Sequence, residues 1–152
     1  MPSLRHHGSM VDCLLCRPSE ADQVLGRVEV WRDRLWRLAV ARSGPVIGFA
    51  HLEPFRHISE ITQLDGDEAA TLGEVLASVT DALKDATNAE LIYVNVFGER
   101  IAHLHFNLAP HRAGGPLTGG PGMLVSGTPE LPAGEHAEAC QAIRTHLHRP
   151  QI

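Results

Sequence analysis

No apolar run in this chain approaches the ~20 residues that a membrane-spanning helix needs. The stretch from Met1 to Met10 also lacks the hydrophobic segment of a secretory signal. A cytoplasmic protein without a membrane partner is therefore expected. Excess positive charge is missing too: 13 Lys and Arg stand against 18 Asp and Glu, for a net charge of −5. A broad grip on polymeric nucleic acid needs clustered cations that displace counterions from phosphates, so that partner is not expected, whereas a mononucleotide or small phosphate ester is still compatible. Cysteine is scarce, with three in the chain, and does not suggest a disulfide framework. A phosphate-cradling P-loop is absent as well. The glycine clusters Gly114-Gly115-Pro116 and Gly119-Gly120-Pro121-Gly122 are not followed by the Lys and Ser or Thr that such a loop requires, and they read as a connector.

What is present suits one domain: 152 residues, 43% of them hydrophobic, with mixed charge. Residues 1–10 are expected to be a disordered N-terminus in which His6-His7-Gly8-Ser9-Met10 resembles a vector remnant. Residues 11–112 hold the core. Residues 113–152 add a Gly/Pro-rich loop and a C-terminal helix to the same domain.

The chemistry-bearing stretch is His103-Leu104-His105-Phe106-Asn107-Leu108. A strand sends alternate side chains to opposite faces, so His103, His105 and Asn107 would share one face while Leu104, Phe106 and Leu108 enter the core. Two imidazoles and an amide on a rigid element make a preorganised set of ligands, bases or nucleophiles. The plainer alternative is a half-exposed strand that happens to carry histidines.

Taken in order, Cys13-Leu14-Leu15-Cys16 has a spacing used by metal sites, and Pro18 is expected to stop a helix and leave the pair on a turn before a polar segment through Gln23. A redox pair would stand at a helix start after a strand, and no strand precedes it. The runs Arg27 to Trp31 and Leu35 to Ala41 read as a hairpin across Arg32-Asp33-Arg34, and Val46 to Leu52 as a third strand. His57 lies just past that strand, where site residues commonly stand. Asp65 and Glu68 have the spacing of a capping box, opening an amphipathic helix with Leu72, Val75, Leu76, Val79 and Leu83 on its apolar face and its end near Asn88. Glu90 to Phe97 is a fourth strand, joined through Gly98-Glu99-Arg100 to the histidine-bearing fifth. Glu135 to His148 closes the chain as a helix with Ala139, Ile143 and Leu147 inward, Cys140 as a small apolar residue, and His146 and His148 toward solvent.

The order and spacing of these landmarks resemble the histidine-triad superfamily, in particular the branch that includes galactose-1-phosphate uridylyltransferase and bacterial histidine-triad nucleotide hydrolases. The resemblance runs from Cys13 to Arg112 and rests on Cys13-Leu14-Leu15-Cys16, Glu53-Pro54-Phe55-Arg56-His57-Ile58, Tyr93-Val94-Asn95 and the His103 to Leu108 stretch, which matches H-x-H-x-H except at its last member. It implies an α+β fold with a five-stranded antiparallel sheet packed against one long helix, and a homodimer. It also implies a structural zinc ion held by Cys13, Cys16, His57 and His103. Its middle histidine carries over as His105, the nucleophile that would form a nucleotidyl-histidine intermediate. Asn107 and Asn95 would donate to phosphate oxygens, Arg100 would meet phosphate, and His111 is the candidate for acid catalysis or a substrate contact. The implied activity is nucleotide hydrolysis or nucleotidyl transfer on a phosphoramidate, a dinucleoside polyphosphate or a similar ester. Two other readings remain open: a non-catalytic zinc-stabilised binding module, and a fold recruited to other metal-dependent chemistry.

Overall fold

A computed structural model describes residues 12–117 and 128–149. The expected disordered N-terminus and part of the Gly/Pro-rich connector lie outside those residues. Five strands form one antiparallel sheet: β1 (Arg27–Arg32), β2 (Trp36–Ala41), β3 (Ala50–Pro54), β4 (Leu91–Asn95) and β5 (Phe106–His111), in the order β1-β2-β3-β5-β4. The expected α+β class and strand count are met. A single-turn 3₁₀ segment at Leu14–Cys16 precedes α1 (Pro18–Leu25), and α2 (Gly66–Thr87) and α3 (Ala133–Leu147) complete the architecture.

The helix α1 corrects the expectation of a turn and polar segment. Pro18 is the first helical residue, where its missing N–H costs nothing, and it opens the helix instead of ending one. Gly26 closes α1 in the left-handed conformation, at φ 62°.

The hairpin of β1 and β2 turns on Asp33, whose carboxylate accepts from the Leu35 and Trp36 amides at 2.7 Å each. Alternation then sorts the sheet. Trp36, Leu38 and Val40 of β2, Ala50 and Leu52 of β3, and Phe106 and Leu108 of β5 pack on Val75, Val79 and Leu83 of α2 and on Cys140 and Ile143 of α3. Each Val, Leu, Ile and Phe of this set contributes roughly 1.5–3 kcal/mol on full burial.

The helix α2 starts at the expected Asp65, whose side chain accepts from the Gly66 amide, and ends at Asn88 in the left-handed conformation. Glu68 does not reach back to the cap. It is buried against Arg56, whose Nε–H donates to it at 2.8 Å, and Arg56 also donates to the Gln63 carbonyl at 2.9 Å. These bonds hold the segment that carries His57. The helix α3 is joined to α2 by His146, which lies 3.0 Å from Asp81 and 3.3 Å from Asp85 instead of facing solvent alone.

Two strands are shifted along the chain from their expected places. Gly48, at φ +80° in a bend, delays the start of β3 to Ala50. The fifth strand begins at Phe106 and continues through His111, so His103 and His105 lie in the connection that enters it. That connection from Asn95 to Phe106 is longer than the tight turn expected at Gly98-Glu99-Arg100.

Candidate functional site

The second face of the sheet, turned away from α2, carries the polar chemistry. His51 and Glu53 of β3, Asn107 of β5 and Arg37 of β2 alternate with the core residues named above, and β3 pairs with β5 so that His51 stands directly across from Asn107. Asn107 in turn pairs with Asn95 of β4. Three adjacent strands thus place a histidine and two amides in one row.

At the N-terminal end of β5 lies a four-residue cluster. The ligand atoms of Cys13, Cys16, His57 and His103 all fall within 4.8 Å of one another and form a potential metal site. Cys13 Sγ is 3.4 Å from His103 Nδ1, and Cys16 Sγ is 3.3 Å from His57 Nδ1 and 3.6 Å from His103 Nδ1. The short 3₁₀ turn brings the two thiols to one side, and α1 behind it fixes their approach. His103 is fully buried, and its Nε2–H donates to the Pro54 carbonyl at 2.8 Å. That bond leaves the Nδ1 lone pair aimed at the thiols, the arrangement in which a ligating imidazole is held by an outer hydrogen bond. Burial pushes the His103 imidazole below its usual range, which favours the neutral form a ligand needs. Burial, followed by the neighbouring Cys13, pushes the Cys16 thiol up to about 11, so Cys16 keeps its proton until a cation displaces it.

His105 comes next along the chain. Its Nδ1–H donates to the backbone carbonyl of His103 at 2.8 Å. The proton is therefore on Nδ1, and Nε2 presents a lone pair. Both polar atoms of the Asn95 side chain are buried with no partner. Groups in that condition are costly unless a ligand or water satisfies them. Along the same face, Phe49 and Ala109 join Ala41, Pro45, Val46 and Leu117 around a mainly apolar cavity of about 260 Å³.

Sequence reasoning alone does not single out His51. Its ring is 5.5 Å from that of His105 and 5.3 Å from that of Phe49. Arg27 Nη1 donates to His51 Nδ1 at 2.8 Å. Arg27 belongs to a buried ionic network with Arg37, Glu53 and Asp22: it donates to Glu53 at 2.9 and 3.2 Å, and Arg37 donates to Glu53 at 2.6 Å and also pairs with Asp22 of α1. Alternation places His51 opposite Leu52, but the pairing of β3 with β5 that brings it to Asn107 is not written in local sequence. Of the other expected residues, Arg100 is exposed on the connection between β4 and β5. His111 lies six residues beyond His105, on the order of 20 Å along the strand, and its ring meets Tyr93 at 5.4 Å. The geometry does not bring His111 to His105.

No family model matches the chain, and no curated protein matches it. Solved structures do. A histidine triad protein from Bradyrhizobium japonicum superposes with a TM-score of 0.72 at 21% identity, covering 84% of this chain and 95% of that one. A Zn-bound histidine triad family protein from Mycobacterium smegmatis superposes with a TM-score of 0.66 at 14% identity, covering 91% of this chain and 95% of that one. A hypothetical histidine triad nucleotide-binding protein from Sulfolobus tokodaii strain7 gives 0.64 at 22% identity, over 89% and 91%. The fold resembled in the sequence is thus the fold observed: this chain has the histidine-triad fold. No helix among the described residues is long and apolar enough to cross a membrane.

Proposed function

We propose that the chain is a histidine-triad enzyme that hydrolyses or transfers a nucleotidyl group through an intermediate on His105. The observation that carries this reading is the bond from His105 Nδ1–H to the His103 carbonyl, which fixes the tautomer with Nε2 as the nucleophilic nitrogen. Attack by Nε2 on the α-phosphorus of a phosphoramidate, dinucleoside polyphosphate or similar ester forms the N–P bond as the bond to the leaving group breaks, an amine departing with a proton taken from solvent and a phosphate departing as its anion. Water or an acceptor then breaks the N–P bond and regenerates the imidazole. Asn95 and Asn107 donate amide protons to the non-bridging oxygens, whose charge must be stabilised during transfer. The unpartnered Asn95 amide supports this role, and the cavity beside Phe49 fits the flat apolar part of a nucleoside.

We further propose zinc as the metal, because two thiolates and two imidazoles in a closed cluster are its preferred ligands. Bound there, zinc would supply structural bracing and no open position for substrate. A homodimer in the reducing cytoplasm is the matching assembly and compartment. The presence of Asn107, which cannot carry a proton to a leaving group, favours a second reading, a nucleotide-binding module without turnover.

Intact-mass measurement after incubation with an adenosine phosphoramidate decides between them. An acid-labile adenylyl adduct that maps to His105, with both adduct and turnover lost in His105→Ala, is expected; tight binding with neither adduct nor product selects the module.

A further inference from the structure

We propose that His51 is a positioning residue that sets the orientation of the Asn107 amide, turning its NH₂ toward the reacting phosphoryl group. The proposal rests on the nucleotidyl-transfer reading above. An asparagine side chain has an acceptor end and a donor end that are nearly equal in shape, so its use as a phosphate donor depends on a neighbour that recognises the difference. His51 is that neighbour.

Arg27 is permanently charged and donates to His51 Nδ1 at 2.8 Å, so Nδ1 must be the bare nitrogen and Nε2 must carry the proton. The arginine cannot retreat, since its guanidinium is buried and held by Glu53 on one side and Asp22 at 3.0 Å on the other. Asn107 is the cross-strand partner of His51 on the same face of the sheet, so its side-chain amide is the neighbour of the His51 ring. With Nδ1 occupied by Arg27, the donor that His51 has left to offer Asn107 is Nε2–H, which pairs only with the amide's carbonyl oxygen. The Asn107 NH₂ is then the end left for substrate. The His105 ring stands 5.5 Å from His51, so the amide set in this way is beside the nucleophile. The chain Asp22 and Glu53, Arg27, His51, Asn107 therefore passes orientation from a buried ionic network to a reacting centre without moving a proton.

Glutamine can copy both bonds of this imidazole, accepting from Arg27 through its oxygen and donating to Asn107 through its nitrogen; leucine can copy neither. The test is steady-state turnover of an adenosine phosphoramidate by the full chain with His51→Leu, His51→Gln and Asn107→Ala, alone and combined. The loss of one oriented donor to a developing oxyanion typically costs about 10²–10³ in rate. His51→Leu should therefore lower kcat by about tenfold to a hundredfold. Its KM should stay within about threefold, as expected when an interaction is made mainly in the transition state. His51→Gln should recover most of the loss, and adding His51→Leu to Asn107→Ala should cost little more. Equal losses in the Gln and Leu variants, an unchanged kcat in both, or additive effects of His51→Leu and Asn107→Ala would overturn the proposal. If the unaltered chain turns over no probe, the catalytic reading fails separately. Side-chain ¹⁵N spectra then decide the orientation: an Nε2–H tautomer at His51, with an Asn107 amide signal displaced in His51→Leu and restored in His51→Gln, supports it, and an Nδ1–H tautomer overturns it.

Discussion

At the scale of single residues, the polar face is governed by which nitrogen of each imidazole holds the proton. His103 donates from Nε2 to Pro54 and turns Nδ1 to the thiols, whereas His105 donates from Nδ1 to the His103 carbonyl and leaves Nε2 with its lone pair. His51 is set by Arg27 and stays neutral. Burial first, then the charges of Arg27 and His105, lower its pKa from 6.5 to about 3. The unfolded chain therefore binds a proton at this residue between those values while the folded chain does not, so folding stability falls as pH drops from about 6.5 toward 3. The contribution is on the order of 1 kcal/mol per pH unit within that window. Urea midpoints at pH 7 and pH 4.5 should show a smaller acid-induced loss in His51→Gln than in the unaltered chain. An equal loss would mean that His51 does not titrate this way. His103 and His105 were legible in the sequence because H-x-H alternation is local. His51 was not, because a single histidine on a strand acquires its meaning only from the residue across from it.

At the scale of elements, the long helix and the first hairpin could be read directly, since apolar spacing of three and four and a turn at Asp33 are short-range signals. The late start of β3 could not. It depends on Gly48, which combines φ +80° with a site where an added Cβ would lie 2.6 Å from Thr87 Cγ2 and 3.3 Å from Pro110. Gly48 is the point at which the chain passes under the C-terminal end of α2 before pairing with β5. Gly48→Ala combines backbone strain with a steric clash, and should destabilise the fold by roughly 2–4 kcal/mol. Thermal or urea unfolding checks this, and a loss below ~0.5 kcal/mol would show that the bend relaxes freely. The first helix is ambiguous in sequence for a comparable reason: Pro18 can end one element or begin another, and the packing of Ala21 against the thiol-bearing turn decides which.

Across the whole molecule, the sheet divides a dry layer against α2 and α3 from a polar layer where charges are paired in burial. Glu53 lies at the centre of that layer, receiving both Arg27 and Arg37. The cluster of Cys13, Cys16, His57 and His103 joins the layer to the N-terminal segment. Removal of the proposed zinc by a chelator should therefore lower the unfolding temperature and weaken turnover together, since His103 would both ligate the metal and accept the bond that holds His105. Structural zinc sites contribute up to about 10 kcal/mol, and a loss of several kcal/mol is expected. A thiol reagent should then modify the part-exposed Cys16 while Cys140, buried between α3 and the sheet, stays protected. Full stability and unchanged thiol reactivity after chelation would exclude a structural metal. The four ligands could be gathered in the sequence only through the family resemblance. Their residue types suit zinc, but nothing local says that His57 and His103 meet.

Those four residues also carry an order in time. Cys13 and Cys16 leave the ribosome first, His57 follows some forty residues later, and His103 arrives 90 residues after Cys13. A growing chain thus holds three of the four donors well before the fourth is made. The cluster closes only when the connection into β5 has been synthesised and folded back against Ile58, whose carbonyl accepts the Leu104 amide at 2.7 Å. Because the His103 carbonyl accepts from the His105 ring, the proposed nucleophile would be set in the same late event. On the proposed mechanism, a chain that stops short of His103 would have three donors for a metal and no prepared nitrogen for a nucleotide.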